Sequence, residues 1–339
     1  MIQTEDQLEE LLSRPSPEDA AAMTALEGDL LILGVGGKMG PSLARRARRA
    51  IALADANKRV IAVARFTDQS LIAGLEREGI ETISQDLLEP GALAALPDVP
   101  NVIFMAAKKF GTTGAAHTTW ALNTYLPGLV AERYRGSRIV AFSTGNVYPL
   151  RPIAQGGAVE STPVEPVGEY AQSALGRERM FEYGSQRWHT PVVLLRLNYA
   201  VELRYGVLLD IGLAVHAGRP VDERMSVVNV IWQGDANSVC LRSFAYCQSP
   251  PAIFNVTGPE TLPVRYIAER FGERFGVKPL YEGSASAVAL LSDAAKAHQL
   301  FGYPAITPDE VIDWTADWIV GGGPTLNKPT HFQTIDGKF

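Results

Sequence analysis

The chain has 339 residues, 46% hydrophobic and 20% charged, with a formal net charge of −6. That length allows two domains or one large α/β unit, and the composition excludes disordered, collagen-like and disulfide-scaffold classes. The acidic balance argues against a nucleic-acid partner, and no apolar run approaches the ~20 residues of a membrane span.

The first 28 residues predict two short helices. Leu8, Leu11 and Leu12 share one side of Thr4 to Ser13. Ser16-Pro17-Glu18-Asp19 then reads as a helix start, with a cap, a proline in the first turn and acids near the positive end. This extension is expected to pack on the outside of the main fold. From Asp29, short apolar runs alternate with longer amphipathic stretches, the signature of parallel βαβ units. The runs are Leu30–Leu33, Val60–Ala64, Ile80–Ile83, Val102–Met105, Arg138–Phe142 and Val192–Leu197. Near-continuous apolar strands of this kind are buried on both faces. The basic run Arg45, Arg46, Arg48 and Arg49 falls within a helical pattern and reads as a solvated face. Past Tyr199 the order is mixed: one more strand at Ala252–Val256, helices at Val264–Phe275 and Pro308–Ile319, and a loop-like tail. Cys240 and Cys247 would lie roughly 10 Å apart along a shared helix, beyond the ~7 Å reach of a disulfide. They read as buried thiols of a reducing compartment, and the chain as cytoplasmic. The five histidines are scattered, without the paired spacing of a metal site.

The first run leads directly into Gly34-Val35-Gly36-Gly37-Lys38-Met39-Gly40-Pro41 and then a helix. Strand, glycine loop, helix is the context of a dinucleotide-binding turn. Gly34 allows the tight turn, Gly37 lets the backbone approach a pyrophosphate, and Gly40 lets helix and strand pack. The helix start, with Lys38 and Met39, offers N–H groups to the phosphates.

This spacing resembles the extended short-chain dehydrogenase/reductase family, also called NAD-dependent epimerase/dehydratases. Gly37-Lys38-Met39-Gly40 alone is also similar to dihydrodipicolinate reductase, whose His- and Lys-rich catalytic segment is absent here. The resemblance implies a Rossmann-type, doubly wound parallel sheet with a smaller carboxy-terminal substrate lobe. It divides the chain into a helical extension (1–28), a cofactor-binding core (29–198) and a mainly substrate-binding lobe (199–339) with late elements returning to the core. Where the family expects an acid at the end of the second strand, Ala64 is followed by Arg65, whose fork of donors suits a 2′-phosphate. NADP(H) is therefore favoured over NAD(H). Asp86 and Leu87 stand where the family contacts adenine, Ala106 and Ala107 where small residues admit the cofactor ribose, and Asn123 at the family's asparagine position.

Phe142-Ser143-Thr144-Gly145-Asn146-Val147-Tyr148 is similar to the family's Ser-Ser/Thr-x-x-x-Tyr strand end. The likeness makes Thr144 the catalytic hydroxyl. Gly145-Asn146 replace the Asp-Glu pair of the dehydratases, which argues against a 4,6-dehydratase. Tyr170 fits the catalytic Tyr-x-x-x-Lys pattern, but position 174 is alanine. An unassisted tyrosine, with a pKa near ~10, is about one part in a thousand phenolate at pH 7, so some other cation must serve. Lys109, beside the expected ribose, is preferred. Arg177, on the same helix face as Tyr170, is the alternative. Ser143, Asn198 and Arg204 are the candidate substrate residues. These readings imply a reductase, dehydrogenase or epimerase acting on a hydroxyl or carbonyl of a sugar, sugar acid or nucleotide sugar, working as a homodimer away from membranes. The competing class is a degenerate NAD(P)-binding sensor or scaffold.

Overall fold

The computed structural model describes residues 2–109, 114–328 and 330–334. Leu30–Leu33 (β1), Val60–Ala64 (β2), Glu81–Ser84 (β3), Asn101–Phe104 (β4), Arg138–Thr144 (β5), Val192–Leu197 (β6) and Ala252–Val256 (β7) form one parallel sheet. The seven strands run in the order β7-β6-β5-β4-β1-β2-β3, the Rossmann-type architecture. Leu30 pairs with Val60 on one side and Asn101 on the other. The order therefore reverses between β1 and β4, and a crevice opens beyond their carboxyl ends, where ligands of such sheets bind.

Alternation along β1 explains the layers. Leu30 and Ile32 point into one core with the helix α3 (Gly40–Leu53 in the chain, after α1, Glu5–Ser13, and α2, Pro17–Ala25). Leu31 and Leu33 point into the other, with Phe104, Val130 and Phe181 from β4 and the helices Leu126–Arg133 and Gly168–Trp188. β3 departs from the expectation of strands buried on both faces. It is the sheet edge, and its four residues are half-buried or exposed. β5 runs on to Thr144 because Ser143 and Thr144 keep pairing with Arg196 and Leu197, which carries both hydroxyls to the crevice. Beyond β6 a separate apolar core joins Val201, Leu208, Ile211, Phe271, Ile312 and Trp318 into a lobe.

The extension forms the two helices expected, each opened by a capping box, Thr4 with Gln7 and Ser16 with Asp19. It is more than an outer layer, since Leu8 and Leu12 are fully buried in the lobe's core and Met23 in the sheet's. The basic run is correspondingly not a solvated face. Arg45 pairs with Glu9 and Glu78, Arg49 with Glu10 and Glu78. Arg46 is buried against Asp19, which also accepts the Ser238 hydroxyl. Helical spacing gives the positions of these arginines but not their acids, which lie in a distant segment.

The tail is loop, as expected, yet it is pinned. Leu326 N–H donates to the Arg204 carbonyl, Thr330 donates twice to Asp210, and Phe332 is buried in the lobe.

Asp19 has no exposed surface and faces a guanidinium that is almost as buried. Breaking a buried pair from one side leaves an uncompensated charge. Asp19→Ala is expected to cost about 3–5 kcal/mol in urea unfolding; a loss below about 1 kcal/mol would contradict this docking.

Candidate active site

At the carboxyl end of β1 the chain turns through Gly34 at φ +95°, where a side chain would meet Ala106 N at 2.5 Å. The ends of β1 and β4 thus touch. At Gly40 a Cβ would fall 2.1 Å from the Val35 carbonyl, so α3 can start there only on glycine. A Cβ on Gly37 would meet only the Gly34 carbonyl, at 3.6 Å, leaving the loop's outer side open to a ligand. No side chain among the described residues caps α3, and its first turn carries no acid. Its N–H groups and positive dipole end face the same crevice. These features fit a dinucleotide pyrophosphate.

A cavity of about 520 Å³ continues from this loop, lined in part by Lys38, Thr144, Tyr170, Arg177 and Asn198. Three elements that are distant in sequence meet in it: the loop after β1, the end of β5 and the start of the helix Gly168–Trp188. The Thr144 hydroxyl donates to Asn146 Oδ1 at 3.1 Å and accepts from Asn146 N–H at 3.2 Å. Tyr170 lies in the helix's first turn and is 8% exposed.

The space beside Ala174 is closed. This side chain is fully buried in an apolar cluster with Val147, Tyr148 and Ala158. Positive charge arrives from two other places. Arg177 is buried, its Nη1 donating to the Phe142 carbonyl at 2.7 Å and its Nη2 to Asn123 Oδ1 at 3.1 Å. Its Nε has no hydrogen-bond partner among the described residues. Asn123, in a π-helical turn, also exchanges two hydrogen bonds with the Lys108 backbone and donates to Ser173 Oγ. Lys109 follows, its Nζ 5.8 Å from the centre of the Tyr170 ring. Burial lowers the Lys109 pKa to about 8, partly offset by Asp210. Lys109 and Arg177, the two alternatives for the missing lysine, therefore both line the cavity with Tyr170.

The other expected residues divide. Met39, Ala107, Ser143 and Asn198 line the cavity. The Ser143 hydroxyl donates inward to Glu178 at 2.5 Å, and Glu178 is in a buried ion pair with Arg196. Asn198 donates to Asn229 Oδ1. Arg65 and Asp86 do not line the cavity and stand 3.9 Å apart, the arginine well exposed, while Leu87 is buried in the sheet's core. Arg204 lies outside this cavity: its guanidinium is held by Glu5, Glu9 and Glu202, a clamp on α1. The lining also includes Tyr205, Lys328 and Thr330, which sequence reasoning did not single out. Lys38 crosses from the glycine loop to place Nζ 3.1 Å over the Tyr205 ring. No local pattern marks Lys328 and Thr330, which lie in a tail without periodicity.

A model of the NAD dependent epimerase/dehydratase family matches residues 30–201. Solved structures share the fold at low identity. UDP-glucuronic acid 4-epimerase from Bacillus cereus, in complex with a UDP-glucuronic acid analogue and NAD, is 17% identical, with 86% of this chain and 99% of that chain covered and a TM-score of 0.73. UDP-glucose 4-epimerase from Thermotoga maritima, with UDP-glucose, is 14% identical over 87% and 99%, with a TM-score of 0.71. UDP-glucose 4-epimerase from Thermus thermophilus, with NAD, is 18% identical over 86% and 99%, with a TM-score of 0.70. Among curated proteins none matches the chain by sequence.

Burial and the charges of Lys109 and Lys328 bring the Lys38 pKa down to about 7. An NMR titration of the ¹³C-methylated chain should therefore find Lys38 losing its proton near 7 and Lys109 near 8, against ~10.4 for exposed lysines. Both are protonated below these values, and a bound anion should raise both. Two ordinary titrations near ~10 would contradict the geometry.

Proposed function

The chain belongs to the NAD dependent epimerase/dehydratase family, and within it we propose an NAD(H)-dependent reductase, dehydrogenase or epimerase. Its substrate would present a hydroxyl or carbonyl carbon of a sugar, sugar acid or nucleotide sugar. The observation that carries this reading is the single cavity in which Thr144, Tyr170 and two cations meet beside an open glycine loop. When bound, the nicotinamide supplies the hydride donor or acceptor. Gly37, Lys38 and Met39 would hold its pyrophosphate at the start of α3, and Ala106 and Ala107 leave room for the ribose.

Tyr170 would exchange the proton of the reacting oxygen, and Thr144 would orient that oxygen by hydrogen bonding. The Arg177 guanidinium gives fixed positive charge but no proton. Lys109, with a pKa lowered to about 8, can both stabilise a phenolate and exchange a proton near neutrality. A reduction needs Tyr170 only as a donor, so it makes the smaller demand on these two groups. An epimerisation through a keto intermediate needs phenolate at one stage and draws on both. The closed space at Ala174 favours a second reading, a cofactor-binding sensor without turnover.

Arg65 by itself suits a 2′-phosphate. The Asp86 carboxylate 3.9 Å away offsets its charge and can accept a ribose hydroxyl instead. We therefore propose NAD(H) as the cofactor, in place of the NADP(H) favoured by Arg65 alone. Exposed Tyr125, Val167 and Tyr183 on and near the helix pair Leu126–Arg133 and Gly168–Trp188 fit a homodimer through those helices. The free thiols Cys240 and Cys247 fit a cytoplasmic setting.

Tyr170→Phe should lower turnover by about 10²–10⁴-fold with little change in NADH affinity. Lys109→Met should lower it about tenfold or more; an unchanged rate removes Lys109 from the mechanism. A panel of sugars, sugar acids and nucleotide sugars, followed at 340 nm with product identification, separates enzyme from sensor. Tight NADH binding with no conversion on that panel would favour the sensor. Direct titrations should find NAD(H) tighter than NADP(H) by about tenfold; the reverse order would overturn the cofactor assignment.

A further inference from the structure

The helix α1 precedes the residues shared with the family, 30–201, and the reaction proposed above gives it no part. It is nevertheless bonded to two elements that meet at the cofactor cavity, and Glu9 stands at the junction. Its Oε2 accepts from Arg45 Nη1 at 2.9 Å, and Arg45 belongs to α3, the helix that follows the glycine loop. Its Oε1 accepts from Arg204 Nη2 at 2.6 Å. Both arginine side chains are mostly buried, so this bridge is shielded from the water that weakens exposed pairs.

Arg204 lies within a tight turn. Glu202 N–H donates to the Tyr205 carbonyl at 3.0 Å, and Tyr205 N–H to the Glu202 carbonyl at 3.3 Å. The buried Glu202 carboxylate accepts from the Arg204 backbone N–H and from its Nε. Leu203 and Val207, on either side, share the lobe's core with Leu8 and Leu12 of α1. Next to Arg204, Tyr205 puts its ring into the cavity wall, where Lys38 Nζ from the glycine loop lies 3.1 Å from its centre. A continuous path thus runs from Glu9 through Arg204 and Tyr205 to Lys38.

We propose that α1 is a brace for the active site and Glu9 its positioning residue: by holding Arg204 against α3, Glu9 fixes the Glu202–Tyr205 turn and keeps the Tyr205 ring against Lys38. This goes beyond the proposed function and rests on it only for the place of the cofactor. A wall held in this way is ordered before a ligand arrives, so the cofactor need not order it on binding.

The test compares Glu9→Gln with Glu10→Gln in the full chain. Glutamine at position 9 keeps the size and removes the charge. Glu10 also ties α1 to α3, through Arg49, but has no bond to Arg204 among the described residues. In the ¹³C-methylated chain without cofactor, Lys38 of Glu9→Gln should titrate well above the parent's value of about 7, toward the ~10.4 of an exposed lysine. Loss of a carboxylate would by charge alone lower that value, so the sign separates lost positioning from lost charge. Glu10→Gln should titrate as the parent does. NADH, followed by its nicotinamide fluorescence, should bind Glu9→Gln about three- to tenfold more weakly than the parent, and Glu10→Gln within about twofold of it. A Lys38 value unchanged or lowered in Glu9→Gln, NADH binding equal to the parent's, or the same change in both variants would each overturn the brace. Should Glu9→Gln not fold, Glu5→Gln, which alters only the more exposed partner of Arg204, is read by the same criteria. A parent chain that does not bind NADH would overturn the proposed function instead, while the Lys38 titration still decides the brace.

Discussion

The placement of positive charge at the carboxyl edge of the sheet is the constraint on which the rest of this structure turns. Arg177 meets it by spanning segments that the sequence keeps apart. One guanidinium binds the end of β5 through the Phe142 carbonyl and, through Asn123, the loop after β4 at Lys108. Asn123 in turn joins the helix of Tyr170 at Ser173. The walls of the cavity are therefore tied to the same cation that charges it. With the space at Ala174 filled by apolar side chains, no side chain at that position could do the same. Charge is supplied instead from one turn further along the helix and from the loop after β4.

A second electrostatic device fixes how the sheet and lobe are held together. α1 and α2 place Glu9, Glu10 and Asp19 on the arginines of α3, and their apolar sides enter two different cores. Arg204 extends this clamp from the lobe by binding Glu5 and Glu9. The more exposed of these pairs, such as Arg49–Glu10, contribute little individually, whereas the buried Asp19–Arg46 pair specifies one docking position. The helix that follows the glycine loop is thus buttressed from behind by the amino-terminal segment.

What was legible in the sequence follows from this division. The strands and the glycine loop are local patterns: apolar runs set the sheet, and the steric demands at Gly34 and Gly40 are set by neighbours a few residues away or on the adjacent strand. Thr144 and Tyr170 could be placed because they follow a strand end and a helix start. The partners of Arg45 and Arg46 could not, since charge pairing between distant segments has no periodicity. For the same reason the ion pairs of Arg204 with Glu5 and Glu9 have no signal in the sequence, and neither does the place of Lys328 in the cavity wall. The β3 edge was misjudged as doubly buried because an apolar run does not say which strand ends the sheet.

The most direct measurement of the central claim is a crystal structure of the chain with NAD bound. The pyrophosphate is expected against Gly37 at the start of α3, and the nicotinamide in the cavity between Thr144 and Tyr170. Lys109 or Arg177, rather than any group beside Ala174, should supply the nearest positive charge to the Tyr170 hydroxyl. A dinucleotide bound elsewhere, or a nicotinamide turned away from Tyr170, would contradict it.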